Sequence, residues 1–154
     1  MDITTRLAQP EDQEHLYQVY RSMRLAEVTA WGWTEQMGEL FLHSQFDAQQ
    51  RHFATEGQGF ERRVILRDGE PAGSLVVART SEMILLAFIA VLPQFYGLGT
   101  GTVLVNALMD EARRVNKPLV AHGLHGSRSK DFFAGLGFID TGADELYWAV
   151  EWRG

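Results

Sequence analysis

The residues of this chain best suited to chemistry are three glycines at alternate positions, Gly97, Gly99 and Gly101. They lie in the segment Ile89-Ala90-Val91-Leu92-Pro93-Gln94-Phe95-Tyr96-Gly97-Leu98-Gly99-Thr100-Gly101-Thr102-Val103-Leu104. An apolar run ends at Pro93, the glycines follow, and a helical pattern starts at Thr100. A strand, a glycine turn and a helix start in that order aim several backbone N–H groups at one point. The helix dipole adds partial positive charge there. Glycine permits positive φ and lets the main chain approach an anion closely. Thr102 offers a hydroxyl donor. The chemistry is phosphate or pyrophosphate binding; the same residues also read as a glycine-rich helix cap with no ligand. A Walker loop needs a lysine in the turn, and none lies between Pro93 and Lys117. A dinucleotide fingerprint needs a third glycine where Thr102 stands, and a later acid that Leu119-Val120-Ala121 does not offer.

Acid–base candidates are few. His122 and His125 are suited by their ordinary pKa to act as bases near neutral pH. They stand three apart on an expected strand, so they point to opposite faces and do not make a metal pair. Each also reads as a structural or surface histidine. The chain has no cysteine, so disulfides, thiolate nucleophiles and zinc–thiolate sites are excluded. It has no Gly-x-Ser-x-Gly, and no metal site is expected. Asp68, Glu70 and Glu82 lie at hairpins, where solvated charge is the usual explanation.

These residues need elements to position them. Ile3–Ala8 reads as a first strand. Pro10-Glu11-Asp12 opens a helix with a buried stripe at Leu16, Val19, Tyr20 and Met23. Trp31-Gly32-Trp33 breaks it. Thr34 caps a second helix running to about Thr55, with Met37, Leu40, Phe41, Ser44 and Ala48 on one face. Gly57-Gln58-Gly59 ends that helix. Arg62–Arg67 and Glu70–Arg79 are strands around an Asp68-Gly69 hairpin. Met83–Val91 is apolar almost throughout, as expected of a strand buried on both faces. Thr100–Val115 is a helix with Leu104, Ala107, Leu108, Ala112 and Val115 on one side, ended by Asn116-Lys117-Pro118. Leu119–Leu124 is a strand and Ser127–Ala134 a short helix. Gly135-Leu136-Gly137-Phe138 turns back into the sheet, and Leu146–Trp152 is the last strand. The fold class is α/β: a mixed, mostly antiparallel sheet of about six to seven strands, flanked by about four helices.

Length and composition suit one domain over residues 1–154. The hydrophobic fraction is 45%, with 4 Trp, 4 Tyr and 9 Phe, values that exclude a disordered chain. The longest apolar run falls short of the roughly 20 residues of a membrane span. Met1–Arg6 carries no basic region followed by an apolar stretch, so no signal peptide is expected and a cytoplasmic location is the default. The net charge of −6 supplies no positive field for nucleic acid. It suits a cationic acceptor, or is simply a soluble acidic surface.

Val91-Leu92-Pro93-Gln94-Phe95-Tyr96-Gly97-Leu98-Gly99-Thr100-Gly101-Thr102-Val103-Leu104 resembles the signature turn of the GCN5-related N-acetyltransferase (GNAT) family. Phe132-Phe133-Ala134-Gly135-Leu136-Gly137-Phe138 is similar to the family's aromatic pair followed by Gly-Phe. Thr5-Arg6-Leu7-Ala8, with Pro10 and Asp12, looks like its first strand and helix start. The element order matches over essentially the whole chain. The resemblance implies an acyl-CoA N-acyltransferase fold, with acetyl-CoA in a split between the fourth and fifth strands. Ile89, Ala90 and Val91 would line the pantetheine arm. Tyr96, Gly97, Leu98, Gly99, Thr100, Gly101 and Thr102 would hold the pyrophosphate. Ser127 and Lys130 would lie near the cofactor, with Arg128 and Lys130 toward the 3′-phosphate or simply solvated, and Phe133 beside the thioester. The acceptor would be a small-molecule or peptide amine, walled by the region of Trp31, Trp33, Phe41, Gln45, Phe46 and Gln49, although most of these aromatics also read as core. The family often dimerises, so a homodimer is an expectation. No membrane partner is expected.

Three departures bear on activity. Tyr96 stands where the family has Arg or Gln. Phe133 stands where many relatives have a Tyr that protonates the leaving thiolate, and the family Asn falls near Gly126 or Ser127. The expected fourth and fifth strands contain no acid. A thiol pKa of about 8.5 still makes CoA a tolerable leaving group, and orientation alone can supply roughly 7–11 kcal/mol. His122 is the candidate base. Two functions therefore follow: direct acetyl transfer from acetyl-CoA to a primary amine, or an acyl-CoA-binding sensor or partner module with little catalysis.

Overall fold

The structure is a computed structural model and describes residues 2–55, 59–124, 129–143 and 147–154. The elements are β1 (Ile3–Leu7), α1 (Gln13–Ala30), α2 (Glu35–Thr55), β2 (Glu61–Arg67), β3 (Glu70–Arg79), β4 (Ile84–Val91), α3 (Thr100–Val115), β5 (Leu119–Leu124), α4 (Ser129–Gly135), β6 (Ile139–Ala143) and β7 (Tyr147–Trp152). The strands form one 7-stranded sheet in the order β1-β2-β3-β4-β5-β7-β6. Every neighbouring pair is antiparallel except β4 and β5. The mixed sheet with helices on both faces is the fold expected from the sequence.

Period-2 alternation assigns the two faces. Ile65, Leu75, Val77, Ile84, Leu86, Leu119 and Ala121 point to one side, where Leu104, Val105 and Leu108 of α3 and Phe133 of α4 close over them. Val64 points to the other, packing with Leu16, Tyr17, Tyr20 and Val28 of α1 and Leu42 and Phe46 of α2. Asp12 fixes the start of α1. It accepts the Gln9 N–H at 2.7 Å and holds the Arg6 guanidinium through two bonds at 2.7 and 2.9 Å. The Arg6 bonds, with the Gln9 N–H, pull the Asp12 carboxyl down to about 2.

Several elements differ in detail from the sequence reading. In α2 the buried stripe is Leu42, Phe46 and Phe53, while Met37 and Leu40 are exposed. The larger aromatic stripe wins because Tyr17 and Tyr20 of α1 meet Phe46 ring against ring. In α3, Val105 and Thr100 are buried, whereas Ala107 and Val115 face outward. β4 is fully buried only at Ile84 and Leu86, because its last residues lose their neighbour on one side. The short helix is described from Ser129 and the last strand from Tyr147; the expected starts at Ser127 and Leu146 lie outside the described residues.

Candidate active site

The parallel ladder between β4 and β5 has only three rungs: Ile84 with Leu119, Leu85 with Val120, and Leu86 with Ala121. Immediately afterwards β4 carries a bulge. Val76 of β3 pairs with Phe88 and Val77 with Leu86, so Ala87 is the extra residue. A bulge bends its strand and increases the local twist. From Phe88 to Val91, β4 stays bonded to β3 while β5 continues along β7, from His122 to Leu124. The sheet therefore splits, and β4 presents a backbone edge toward the gap.

Local packing holds both walls. On β5, a Cβ at Gly123 would stand 2.6 Å from Cζ2 of Trp148, so glycine is required for that buried indole to cross the strand. On β3, a Cβ at Gly73 would stand 2.2 Å from the Ala90 carbonyl oxygen. His15 of α1 donates from Nε2 to the Gly73 carbonyl at 3.0 Å. The exit of β4 is pinned by the Leu92 N–H on the Ala72 carbonyl at 2.8 Å.

A single-turn 3₁₀ helix, Pro93–Phe95, then leads into the glycine turn. Gly97 and Gly99 have φ of 74° and 78°, with open space where a side chain would be. Their requirement is conformational. Gly101 has ordinary helical geometry, and a Cβ there would meet only the Phe132 ring edge, at 3.5 Å. Gly99 caps α3 without a side-chain bond. The first hydrogen bond from the helix back to the turn runs from the Val103 N–H to the Gly99 carbonyl at 3.0 Å. The backbone N–H groups from Gly97 through Thr102 thus have no acceptor among the described residues. Orphan donors at the positive end of a 16-residue helix are an arrangement suited to an anion.

The family model for the Acetyltransferase (GNAT) family matches residues 16–138, which contain both walls and the turn. The chain belongs to the GNAT family. Solved GNAT structures extend the likeness to the whole fold. The PaiA N-acetyltransferase from Thermoplasma acidophilum, in complex with coenzyme A, shares 14% identity at TM-score 0.74, covering 100% of both chains. An acetyltransferase from Thermus thermophilus shares 16% at TM-score 0.72, covering 100% of this chain and 98% of the other. The ribosomal-protein-S18-alanine N-acetyltransferase from Escherichia coli shares 15% at TM-score 0.63, covering 97% of this chain and 92% of the other. No curated protein matches the sequence.

The sequence-derived residues are spread over the walls and the turn of this GNAT fold. Ile89, Ala90 and Val91 lie on the open half of β4, all half-buried. Tyr96 and Leu98 are exposed beside the glycines. Thr102 is half-buried, and Thr100 is 2% exposed with its hydroxyl facing inward. His122 pairs in register with Ala149. Because Ala121 faces α3, strand alternation turns His122 to the side of α1 and α2, and it is half-buried. Glu151, opposite Val120 on the next strand, shares that face and is ion-paired with Arg153. Phe133 is 2% exposed, packed on Phe138 at 5.0 Å and Trp148 at 6.1 Å. Lys130 is ion-paired with Asp140 at 2.7 Å, which lowers the Asp140 carboxyl below its ordinary value. His125, Ser127 and Arg128 lie outside the described residues.

On the expected acceptor side, Phe46 is core. Trp31, Trp33 and Phe41 touch one another edge to face at 5.2 to 5.4 Å where α1 meets α2, with both tryptophans exposed. The Tyr17 hydroxyl is not a ready acid. Burial pushes its pKa up, and its bond to Glu39 at 2.7 Å adds to the rise.

Sequence reasoning missed the partner of Thr100. Arg67, the last residue of β2, is 7% exposed and donates from Nη1 to Thr100 Oγ1 at 3.0 Å. The available signal was alternation: Ile65 is core, so Arg67, two residues on, faces the same way.

Proposed function

We propose that this chain binds acetyl-CoA and transfers its acetyl group directly to a primary amine. The observation that supports it best is the row of unsatisfied N–H groups from Gly97 to Thr102 at the far end of the open β4 edge. The pyrophosphate is held on those donors. The pantetheine amides pair with the β4 edge at Ile89–Val91 as an added strand. Acetyl-CoA supplies an activated thioester, which this arrangement directs toward the apex of the split near Ala87.

At the apex, the chain's contribution is orientation more than acid–base machinery. The amine nitrogen bonds to the acetyl carbon as the carbon–sulfur bond breaks, and the sulfur leaves with the electron pair. The amine must also lose a proton. His122 receives it, directly or through water, from the face of α1 and α2, where the acceptor enters. No carboxylate stands on the described part of β4 or β5, and Phe133 has no proton to give. The thiolate is therefore protonated from solvent. Turnover against a panel of small and peptide amines tests this. Acetylation of a primary amine that slows in His122→Ala, with unchanged acetyl-CoA affinity, is the expected result. An unaltered pH–rate profile in that variant removes His122 from the role.

A second reading, an acyl-CoA-binding module with little catalysis, is favoured by the buried, hydroxyl-free Phe133. Tight acetyl-CoA binding with no turnover on any amine selects it.

A further inference from the structure

The glycine turn contains no charged side chain. From Pro93 to Met109 there is neither Lys nor Arg, and the residue that leads into the glycines is the uncharged Tyr96. A pyrophosphate seated there meets dipoles alone unless a cation reaches it from elsewhere.

Two arginines among the described residues are buried, and they are treated differently. Arg24, 8% exposed, is ion-paired with Glu27 at 3.1 Å and bonded to the Tyr20 hydroxyl at 2.7 Å. Arg67, 7% exposed, has no carboxylate within ion-pair distance among the described residues. Its hydrogen bond is to Thr100 Oγ1, on the first residue of α3, which is itself 2% exposed. Burying a guanidinium without a counter-ion is costly, and a neutral apolar residue of similar size would ordinarily be more stable there. The acids at the adjacent hairpin do not relieve it. Asp68 accepts the Asp2 N–H at 2.8 Å, and Glu70, opposite Arg67 in the ladder, is exposed.

We propose that Arg67 supplies the formal positive charge of the pyrophosphate cradle from beneath the first turn of α3. It is a positioning residue, acting through the Thr100 hydroxyl and through its field at the orphan N–H groups. It brings to the turn the charge that the turn's own side chains lack. The turn itself is open to solvent, but the Arg67 guanidinium is buried beneath the first residue of α3, where salt screens a charge less than at the surface. The inference rests on the proposed acetyl-CoA site.

The test uses calorimetric titration of the full chain with acetyl-CoA, and turnover with acetyl-pantetheine, a thioester donor without phosphates. Arg67→Gln keeps a donor for Thr100 and removes the charge; Arg67→Lys keeps the charge. Arg67→Gln should weaken acetyl-CoA binding by about tenfold or more, whereas Arg67→Lys stays within about threefold. Acetyl-pantetheine kcat/KM should be unchanged in both, and the Tm of Arg67→Gln should equal or exceed that of the parent. Unchanged acetyl-CoA affinity in Arg67→Gln overturns the inference. So does a matching loss with acetyl-pantetheine, or an equal loss in Arg67→Lys, because either marks a role in folding or shape. Should Arg67→Gln not fold, Arg67→Met is read by the same criteria, and failure of both to fold also overturns it. A parent chain that binds no acetyl-CoA refutes the underlying site instead.

Discussion

Replacing Gly73 by alanine tests whether close approach of β3 and β4 shapes the open edge. The added Cβ would lie 2.2 Å from the Ala90 carbonyl oxygen and 3.0 Å from the Val91 Cα, both backbone atoms. An ordinary carbon–oxygen contact needs more than about 3 Å, so the strands must separate locally by roughly 1 Å. Overpacking of this kind costs about 1–3 kcal/mol, which lowers Tm by about 3–10 °C in a chain of this size. The His15 bond to the Gly73 carbonyl, 3.0 Å in the parent, is strained by the same shift. Because Ala90 and Val91 belong to the proposed pantetheine edge, activity should suffer as well. A displacement of about 1 Å at a positioning element can reduce rate by about 100-fold, so kcat/KM should fall by about 10- to 100-fold. Gly135→Ala is the control: that glycine has nothing within 4 Å of its Cβ position and no positive φ, so the change should be neutral or slightly stabilising. Thermal denaturation and steady-state kinetics on both variants provide the comparison. Parent-like Tm and kcat/KM in Gly73→Ala would refute the reasoning.

Three further outcomes are expected. Gly99→Ala, forced to φ near 78°, should lose about 1–2 kcal/mol and weaken acetyl-CoA binding, whereas Gly101→Ala, meeting Phe132 at an ordinary 3.5 Å, should keep both stability and affinity; calorimetry and melting on the pair decide it. Asp12 has a folded-state pKa of about 2 against an ordinary 3.8, so its contribution is fully present above about 3.8 and is lost as pH falls through about 2. Asp12→Asn should therefore lower Tm at neutral pH and flatten the parent's decline across that acid window. Gly123→Ala, which drives a Cβ to 2.6 Å from Trp148, should destabilise by about 1–3 kcal/mol, read by denaturant midpoint.

The order of elements was legible because the turn signals are strong and local. Asp68-Gly69, Pro93 and Asn116-Lys117-Pro118 each end an element by their own backbone preference, and the structure places boundaries at all three. The backbone of the glycine turn was legible for the same reason: glycines at alternate positions before a helix allow the positive φ found at Gly97 and Gly99. Tertiary choices were not. The face of α2 depended on which aromatic stripe met Tyr17 and Tyr20, which a single helix's periodicity cannot decide. The half-exposure of late β4 depended on where β5 departs, a property of two distant segments and of one bulge residue, Ala87. Arg67 went unnoticed because an arginine before a hairpin is ordinarily solvated, and its partner lies 33 residues away.

The most direct test is calorimetric titration of the purified chain with acetyl-CoA and CoA, with ATP and NAD as controls. Micromolar binding of acetyl-CoA and CoA, without comparable binding of ATP or NAD, is the expected result. A folded chain that binds neither acetyl-CoA nor CoA would contradict it, and the N–H groups of Gly97–Thr102 would then be a solvated helix cap.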